Sequence, residues 1–387
     1  METYKSCLNI NKYLLSSIGL WPEQTKIGNF MKNLIWISLF SFFSAQVAAL
    51  VKYRRDMDMI IQTLPPLFAN SISIACFGAF AINQDVIALL LSKMEKHWIR
   101  WTENSEEIEM IRKNATIGKK LIVIFIVVAY GVSFEYIFMP LVPVFLDIIK
   151  PLNESRPKRL MIVAYYYVNS NDYYFWISLH ATYSCVAFVT VLLSIYGMFI
   201  AFIYHACGQL AILGFKLKTL VQMNHDPLND DEEILQEIKF CVKLHKSIII
   251  FMNDVKKCFS TPYFFAMGLN MLMMSFTMIQ MIINIHDPRE VIACLFYTFG
   301  QMFMLLCLTL PCQRLIDLSL QIPIDIHNGF WYKTSLRSQK MLLIIIMRTS
   351  NPLTFTAGKL YTFSMENYGA VVKTSFSYLT VLTSVRE

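Results

Sequence analysis

Residues 173–215 read YYFWISLHATYSCVAFVTVLLSIYGMFIAFIYHACGQLAILGF, and these 43 residues contain no Asp, Glu, Lys or Arg. A helix rises about 1.5 Å per residue, so about 20 such residues already cross a hydrocarbon core of roughly 30 Å. The stretch is therefore long enough for a membrane-spanning helix that continues beyond the bilayer on one side.

Six further apolar segments lie before and after this stretch, and we predict that each forms a membrane-spanning helix. They occupy residues 33–51, 59–84, 121–144, 259–285, 291–313 and 353–385. Across the whole chain 56% of the residues are apolar and only 16% are charged, whereas about 25% are charged in a typical soluble domain. The sequence therefore predicts an all-α, polytopic membrane protein in which residues 1–387 form a single domain with seven transmembrane helices.

The Lys and Arg residues are distributed unevenly among the segments that connect the predicted spans. The amino-terminal segment and the second, fourth and sixth connections hold 23 of these residues, whereas the other three connections hold 8. Basic connections remain in the cytoplasm during insertion, so we predict an inverted topology with the amino terminus inside and the carboxyl terminus outside. Asn153 begins the acceptor tripeptide Asn-Glu-Ser in a predicted outer loop, and we predict that it is glycosylated.

Sequence motifs for catalysis are absent. The chain contains no HExxH, no GxSxG, no phosphate-binding loop and no pair of carboxylates placed for acid or base chemistry. Its net charge of +7 lies in short clusters between apolar runs and not in a basic domain, which favours the lipid bilayer over nucleic acid as a partner. We therefore predict that the protein is not an enzyme and uses no metal or cofactor.

Aromatic and small polar residues occur together in the outer halves of predicted spans two, three, four and six. A site for a small apolar molecule needs an aromatic lining with a few polar groups, and the residues that we predict to form it are Ser73, Phe77, Phe80, Phe134, Phe138, His180, Tyr183, Ser184 and Tyr297. Packing against another helix or against lipid is the alternative for each of them. For His180, a hydrogen-bonded position in the core is favoured over a metal site.

The last predicted helix carries Lys359, Glu366 and Lys373 at intervals of seven residues, which places the three charges on one helical face. Ser377 and Ser384 fall near the same face. Ionisable residues inside a membrane usually face water or a partner, so this face indicates a water-filled path. The alternative is that the charges lie in a part of the helix that extends into the cytoplasm.

Two segments of the chain resemble insect odorant receptors, particularly the hymenopteran members. The sequence PLTFTAGKLYTFSMENYGAVVKTSFSYLTVLTSVRE at 352–387 looks like the last helix of that family, and YHACGQLAILGFKL at 204–217 is similar to the end of its fourth helix. The resemblance implies a subunit of an odorant-gated, non-selective cation channel, which acts in the sense of smell. It also implies a heterotetramer with the shared olfactory co-receptor, in the plasma membrane of the olfactory sensory neuron dendrite.

The same resemblance implies roles for particular parts of the chain. Residues 207–260 and 315–350 would form portions of a cytoplasmic anchor, and 353–385 would line a central pore whose narrow hydrophobic gate falls on Val381 and Val385. Combined with the polar face described above, this gives a set of predicted pore residues, namely Lys373, Ser377, Val381, Ser384 and Val385.

Other receptor classes remain open at this stage. Ser384 stands where gustatory receptors and the co-receptor carry a glutamine, which speaks against both. A G-protein-coupled receptor would place its amino terminus outside, opposite to the charge distribution found here. A transporter would show repeated halves, and the sequence contains no such repeat.

Overall fold

Helices dominate the structure. A computed structural model describes residues 2–23, 25–138, 141–150, 156, 160–220 and 230–386. The helices are α1 (Glu2–Ser17), α2 (Lys26–Lys52), α3 (Met57–Ile82), α4 (Gln84–Trp101), α5 (Ser105–Phe138), α6 (Leu141–Ile149), α7 (Tyr174–Thr219), α8 (Asp230–Ile283), α9 (Pro288–Asn328), α10 (Leu336–Thr349) and α11 (Met365–Arg386). One 3₁₀ turn, Trp331–Lys333, precedes α10, and a hairpin of two short strands, β1 (Thr356–Ala357) and β2 (Tyr361–Thr362), precedes α11.

Six of the described helices are long and apolar enough to cross a membrane, namely α2, α3, α5, α7, α8 and α9. They correspond to the first six predicted spans, so the predicted all-α membrane fold is confirmed. Helices α3, α5 and α8 end at Ile82, Phe138 and Ile283, before the predicted ends at 84, 144 and 285. Four of the six helices exceed what a bilayer requires, since α5, α7, α8 and α9 have 34, 46, 54 and 41 residues. Helix α11 is not in this group, because Glu366 and Lys373 interrupt its apolar character.

Helix α7 lies at the centre of the bundle, where it packs against α1, α2, α3, α5, α8 and α9. A helix that is apolar on all sides is stable only when it is surrounded by protein or lipid. Its aromatic side chains meet those of α8, since the rings of Tyr196 and Tyr263 are 5.2 Å apart and those of Phe199 and Phe259 are 5.4 Å apart. All four side chains are fully buried, so α7 and α8 form the core on which the other helices pack.

The predicted start of the last helix at residue 353 is wrong, because α11 begins at Met365. In the preceding hairpin, Thr356 pairs with Thr362 and Ala357 pairs with Tyr361. Gly358 and Lys359 at its turn have φ angles of +57° and +62°, which a right-handed helix excludes. Lys359 therefore does not share a helical face with Glu366 and Lys373.

Candidate functional site

A cavity of about 940 Å³ opens between α3, α5, α6, α7, α8 and α9. Sites for small molecules occupy roughly 300–1,000 Å³, so the cavity holds a small ligand with room to spare. Its wall is mostly apolar and includes Ala69, Phe125, Val128, Val132, Phe134, Phe138, Cys185, Phe188, Leu192, Met273, Tyr297 and Met304. The cavity therefore provides the apolar, partly aromatic lining that a small hydrophobic molecule requires.

Two adjacent prolines, Pro65 and Pro66, shape the α3 side of this cavity. Pro65 has no N–H, so it cannot donate a hydrogen bond to the carbonyl of Ile61 four residues earlier. Gln280 of α8 replaces that bond, since its Nε2 donates to Ile61 O at 2.8 Å. A polar side chain inside the bundle thus satisfies the backbone of a helix that proline interrupts, and it fixes α3 to α8 at the wall of the cavity.

Three of the nine predicted site residues line this cavity, namely Phe134, Phe138 and Tyr297. The rings of Phe134 and Phe138 lie 4.0 Å apart, one helical turn from each other on α5. The hydroxyl of Tyr297 lies 3.2 Å from Met273 Sδ. The structure therefore brings together two aromatic side chains from α5 and one from α9 around the same space.

His180 and Ser184 belong to a separate polar network that joins α2, α7 and the loop before α7. Ser41 gives its proton to Ser38 O, so its oxygen accepts from His180 Nε2 at 2.9 Å. Burial raises the pKa of Tyr166 to about 12, so the phenol keeps its proton and donates to His180 Nδ1 at 2.9 Å. His180 is therefore partly buried and hydrogen-bonded through both ring nitrogens.

The same network extends one turn further along α7, where the Ser184 and Ser38 hydroxyls are 3.1 Å apart. Close by, Tyr165 N donates to Ala45 O at 2.9 Å. Neither His180 nor Ser184 lies on the cavity wall. These contacts hold the loop before α7 against α2 and α7.

The remaining predicted site residues also lie away from the cavity. Phe77 packs edge-on against Trp36 with a ring separation of 4.9 Å, and Phe80 packs against Phe259. Ser73 donates to backbone carbonyls of α3 and α7. Tyr183 is 41% exposed on the outer surface of the bundle. Helix packing, the alternative role for each of these residues, accounts for the first three.

The sequence analysis missed most of the residues that form the cavity wall, although some of them carry a recognisable signal. On α7 the wall is formed by Cys185, Phe188 and Leu192, a helical face adjacent to the predicted one, and apolar periodicity alone does not distinguish these faces in a helix that is apolar throughout. Gln280 and Gln301, by contrast, are isolated amides in apolar runs. Such intramembrane polar residues are a usable signal.

The pore residues predicted on α11 are described only in part. Val371 and Ser375 are buried against the bundle, whereas Lys373 and Ser377 lie on the exposed face of the same helix. The side chains of Val381, Ser384 and Val385 lie outside the described part of the structure, as does Asn153. The polar face of α11 is thus directed away from its own subunit.

The fold is similar to that of the insect olfactory receptor OR5 from Machilis hrabei in complex with eugenol, with a TM-score of 0.80 and coverage of 99% of both chains. A second structure of the same receptor gives a TM-score of 0.78. The sequence identities are 14% and 15%, so these matches establish the shared fold.

Sequence comparison also identifies odorant receptors as similar proteins. The chain is 28% identical to Odorant receptor 10 of Aedes albopictus over 167 residues and 23% identical to Odorant receptor 13a of Drosophila melanogaster over 266 residues. These alignments cover 42% and 65% of this chain, and 42% and 62% of the relatives' own lengths. The family model described as 7tm Odorant receptor matches residues 56–376. Because this match spans most of the chain, the protein is a multi-pass membrane protein that belongs to the 7tm odorant receptor family.

Proposed function

We propose that this chain is the odorant-binding subunit of an odorant-gated, non-selective cation channel, assembled with the shared olfactory co-receptor. The observation that carries the proposal is the apolar cavity of about 940 Å³ enclosed by α3 and α5–α9. Eugenol, present in the complex of the insect olfactory receptor with this fold, is a small, largely apolar molecule of the kind such a cavity accommodates. The proposed location is the plasma membrane of the olfactory sensory neuron dendrite, with the amino terminus inside.

A short path connects the cavity with α11. Met273 of α8 lies on the cavity wall, and the next residue, Met274, lies 3.9 Å from the hydroxyl of Ser375 on α11. Asn270 Nδ2 also contacts Met274 Sδ, at 3.8 Å. A ligand that displaces Met273 would therefore shift the surface against which α11 packs. Opening follows if the ligand binds the open arrangement more tightly than the closed one.

The exposed face of α11 supports its assignment as the pore-lining helix. Lys373 and Ser377 face away from the subunit, where assembly around a central axis would place them beside water. Val381 and Val385 are proposed to form the hydrophobic gate near the outer end, with Ser384 beside it. The inner extensions at 207–260 and 315–350 are proposed to join the subunits in the cytoplasm.

Recordings from cells that express the chain with and without the co-receptor test the proposal. We expect odorant-evoked cation currents only when both chains are present, across a panel of small apolar odorants. Responses that need no co-receptor and disappear when G-protein signalling is blocked would contradict the channel assignment. They would support the G-protein-coupled alternative.

Two serines on α11 allow a sharper test of the pore face. Ser377→Cys should make the odorant-evoked current sensitive to a cationic methanethiosulfonate reagent, because Ser377 lies on the exposed face. Ser375→Cys is the matched control, since Ser375 is fully buried and lies about 200° round the helix. Eight of the nine native cysteines are buried, so the parent channel should react little. If the reagent inhibits the Ser375→Cys channel and not the Ser377→Cys channel, the exposed face of α11 does not line the pore.

A further inference from the structure

Two side chains on the wall of the cavity each carry a buried oxygen atom that accepts no hydrogen bond from the described residues. These atoms are Oε1 of Gln301 on α9 and Oε2 of Glu135 on α5. Gln301 is only 4% exposed, so a donor reaches its amide oxygen when the neighbouring wall side chains move aside on ligand binding. A buried acceptor without a donor costs free energy, and a ligand that supplies the donor recovers it.

The orientation of the Gln301 amide follows from its neighbour. Thr277 Oγ1 gives its proton to Met273 O at 2.7 Å, so the same oxygen accepts from Gln301 Nε2 at 3.2 Å. If the amide were flipped, two acceptors would face each other. The nitrogen therefore remains with Thr277, and the oxygen is left for another donor.

Glu135 and Gln301 lie on neighbouring stretches of α5 and α9 at the cavity wall. Helices α5 and α9 run in opposite directions and approach each other where Gly300 meets Val132, since a Cβ on Gly300 would lie 3.4 Å from that side chain. Glu135 is three residues beyond Val132 and Gln301 is one residue beyond Gly300. At about 1.5 Å per residue the two acceptors are separated by roughly 6 Å along the bundle.

Two other polar side chains on this part of the wall already donate hydrogen bonds to the backbone. Ser133 Oγ donates to Ala129 O at 2.7 Å, and Gln280 Nε2 donates to Ile61 O. The arginine side chains of the wall lie at the start of α9 and in the loop before α7. There Arg289 is exposed and Arg156 is paired with Asp147. Among the described residues of the wall, the two buried side-chain atoms without any partner are both acceptors.

We propose that the cavity selects ligands that carry an O–H or N–H donor, such as alcohols, phenols and amines, over ligands of the same size that only accept. Gln301 Oε1 receives the donor, and Glu135 Oε2 provides a second acceptor beside it. A protonated Glu135 would itself donate a hydrogen bond. The Gln301 oxygen accepts a hydrogen bond in either protonation state of Glu135. The proposal rests on the proposed odorant-binding function and names the chemical class of its ligand.

Pairs of isomers that differ only in the donor test this selection. Suitable probes are 1-octanol with 1-methoxyheptane, 4-propylphenol with 4-ethylanisole, and cyclohexylmethanol with methoxycyclohexane. Their affinities are measured from concentration–response curves of the assembled channel and from thermal stabilisation of the purified complex. We expect the alcohol or phenol of each pair to bind about tenfold more tightly, as one additional hydrogen bond predicts.

Gln301→Met keeps the size of the side chain and removes the acceptor, so the ratio between the isomers should fall to about twofold or less. Gln46→Met is the matched control, since it removes another fully buried amide, on α2 and away from the cavity, and should keep the ratio. Glu135→Met provides a second variant if Gln301→Met does not reach the surface, and a reduced ratio is expected for it as well.

The possible results separate the two proposals. Equal affinity for both isomers of every pair in the parent channel overturns the donor preference and leaves the odorant site intact. A tenfold ratio that both Gln301→Met and Glu135→Met preserve overturns the assignment of these two residues. If no probe binds in either measurement, the odorant site itself fails, and the donor preference fails with it.

Discussion

Replacing Val128 by Trp should raise the odorant concentration for half-maximal current by about 100-fold. Val128 lies on the cavity wall, and an indole at this position would occupy space that the ligand needs. A 100-fold loss is about 2.7 kcal/mol, which roughly 110 Å² of apolar ligand surface contributes at about 25 cal/mol per Å². Concentration–response curves for any activating odorant, at matched surface expression, measure the effect.

The neighbouring residue offers a control of the same type. Val127 is 66% exposed on a face of α5 about 100° away, so Val127→Trp adds the same bulk towards lipid and should leave the response within about twofold of the parent. Both variants place the same side chain on adjacent positions of one helix, and a general effect of tryptophan on folding would act on both. Parent-like affinity in Val128→Trp would show that the odorant binds elsewhere.

The membrane fold could be predicted because its cause is local in the sequence. Long uncharged runs such as 173–215 have few stable arrangements in water, so each run is itself evidence for a span. Polar residues within these runs carry further information. Gln280 and Gln301 lie on the cavity wall, and both are recognisable in the sequence as isolated amides within apolar runs.

The lining of the cavity was harder to predict, because it depends on how each helix is rotated. Successive residues differ by about 100° around a helix, so His180 and Ser184 point to the polar network while Cys185 points to the cavity. In a helix that is apolar on every side, no periodicity identifies the face towards one particular neighbour. Phe134, Phe138 and Tyr297, three of the predicted site residues, do lie on the wall of this cavity.

The hairpin before α11 illustrates a different difficulty. The sequence TFTAGKLYTF at 354–363 alternates in the manner of a strand around Gly358. The seven-residue spacing of Lys359, Glu366 and Lys373 also fits a helix, so it agreed with the wrong start at residue 353. A glycine between two short runs rich in threonine, phenylalanine and tyrosine is the stronger signal here, because it identifies a turn by a physical requirement.

Gly358→Ala should prevent most of the receptor from reaching the cell surface. Its φ of +57° is costly for any residue with a Cβ, by about 1–2 kcal/mol, and the new Cβ would lie 2.6 Å from Cγ of Phe264 on α8. Overpacking of this kind costs about 1–3 kcal/mol. The Gly358 N–H also donates to Ser260 O and Oγ, at 3.2 and 3.0 Å. A shift of the turn that relieves the clash would break these bonds, which hold the hairpin and therefore α11 against α8.

Gly131→Ala is the matched control for this prediction. Gly131 is exposed on α5, and a Cβ added there meets no atom within 4 Å, so alanine should leave stability unchanged or raise it by up to about 1 kcal/mol. Thermal unfolding of the purified receptor, together with surface biotinylation, compares the two variants directly. A Gly358→Ala receptor with the parent's unfolding temperature and surface level would mean that the hairpin turn does not position α11. In that case Ser375 and Met274 would have to hold the last helix without it.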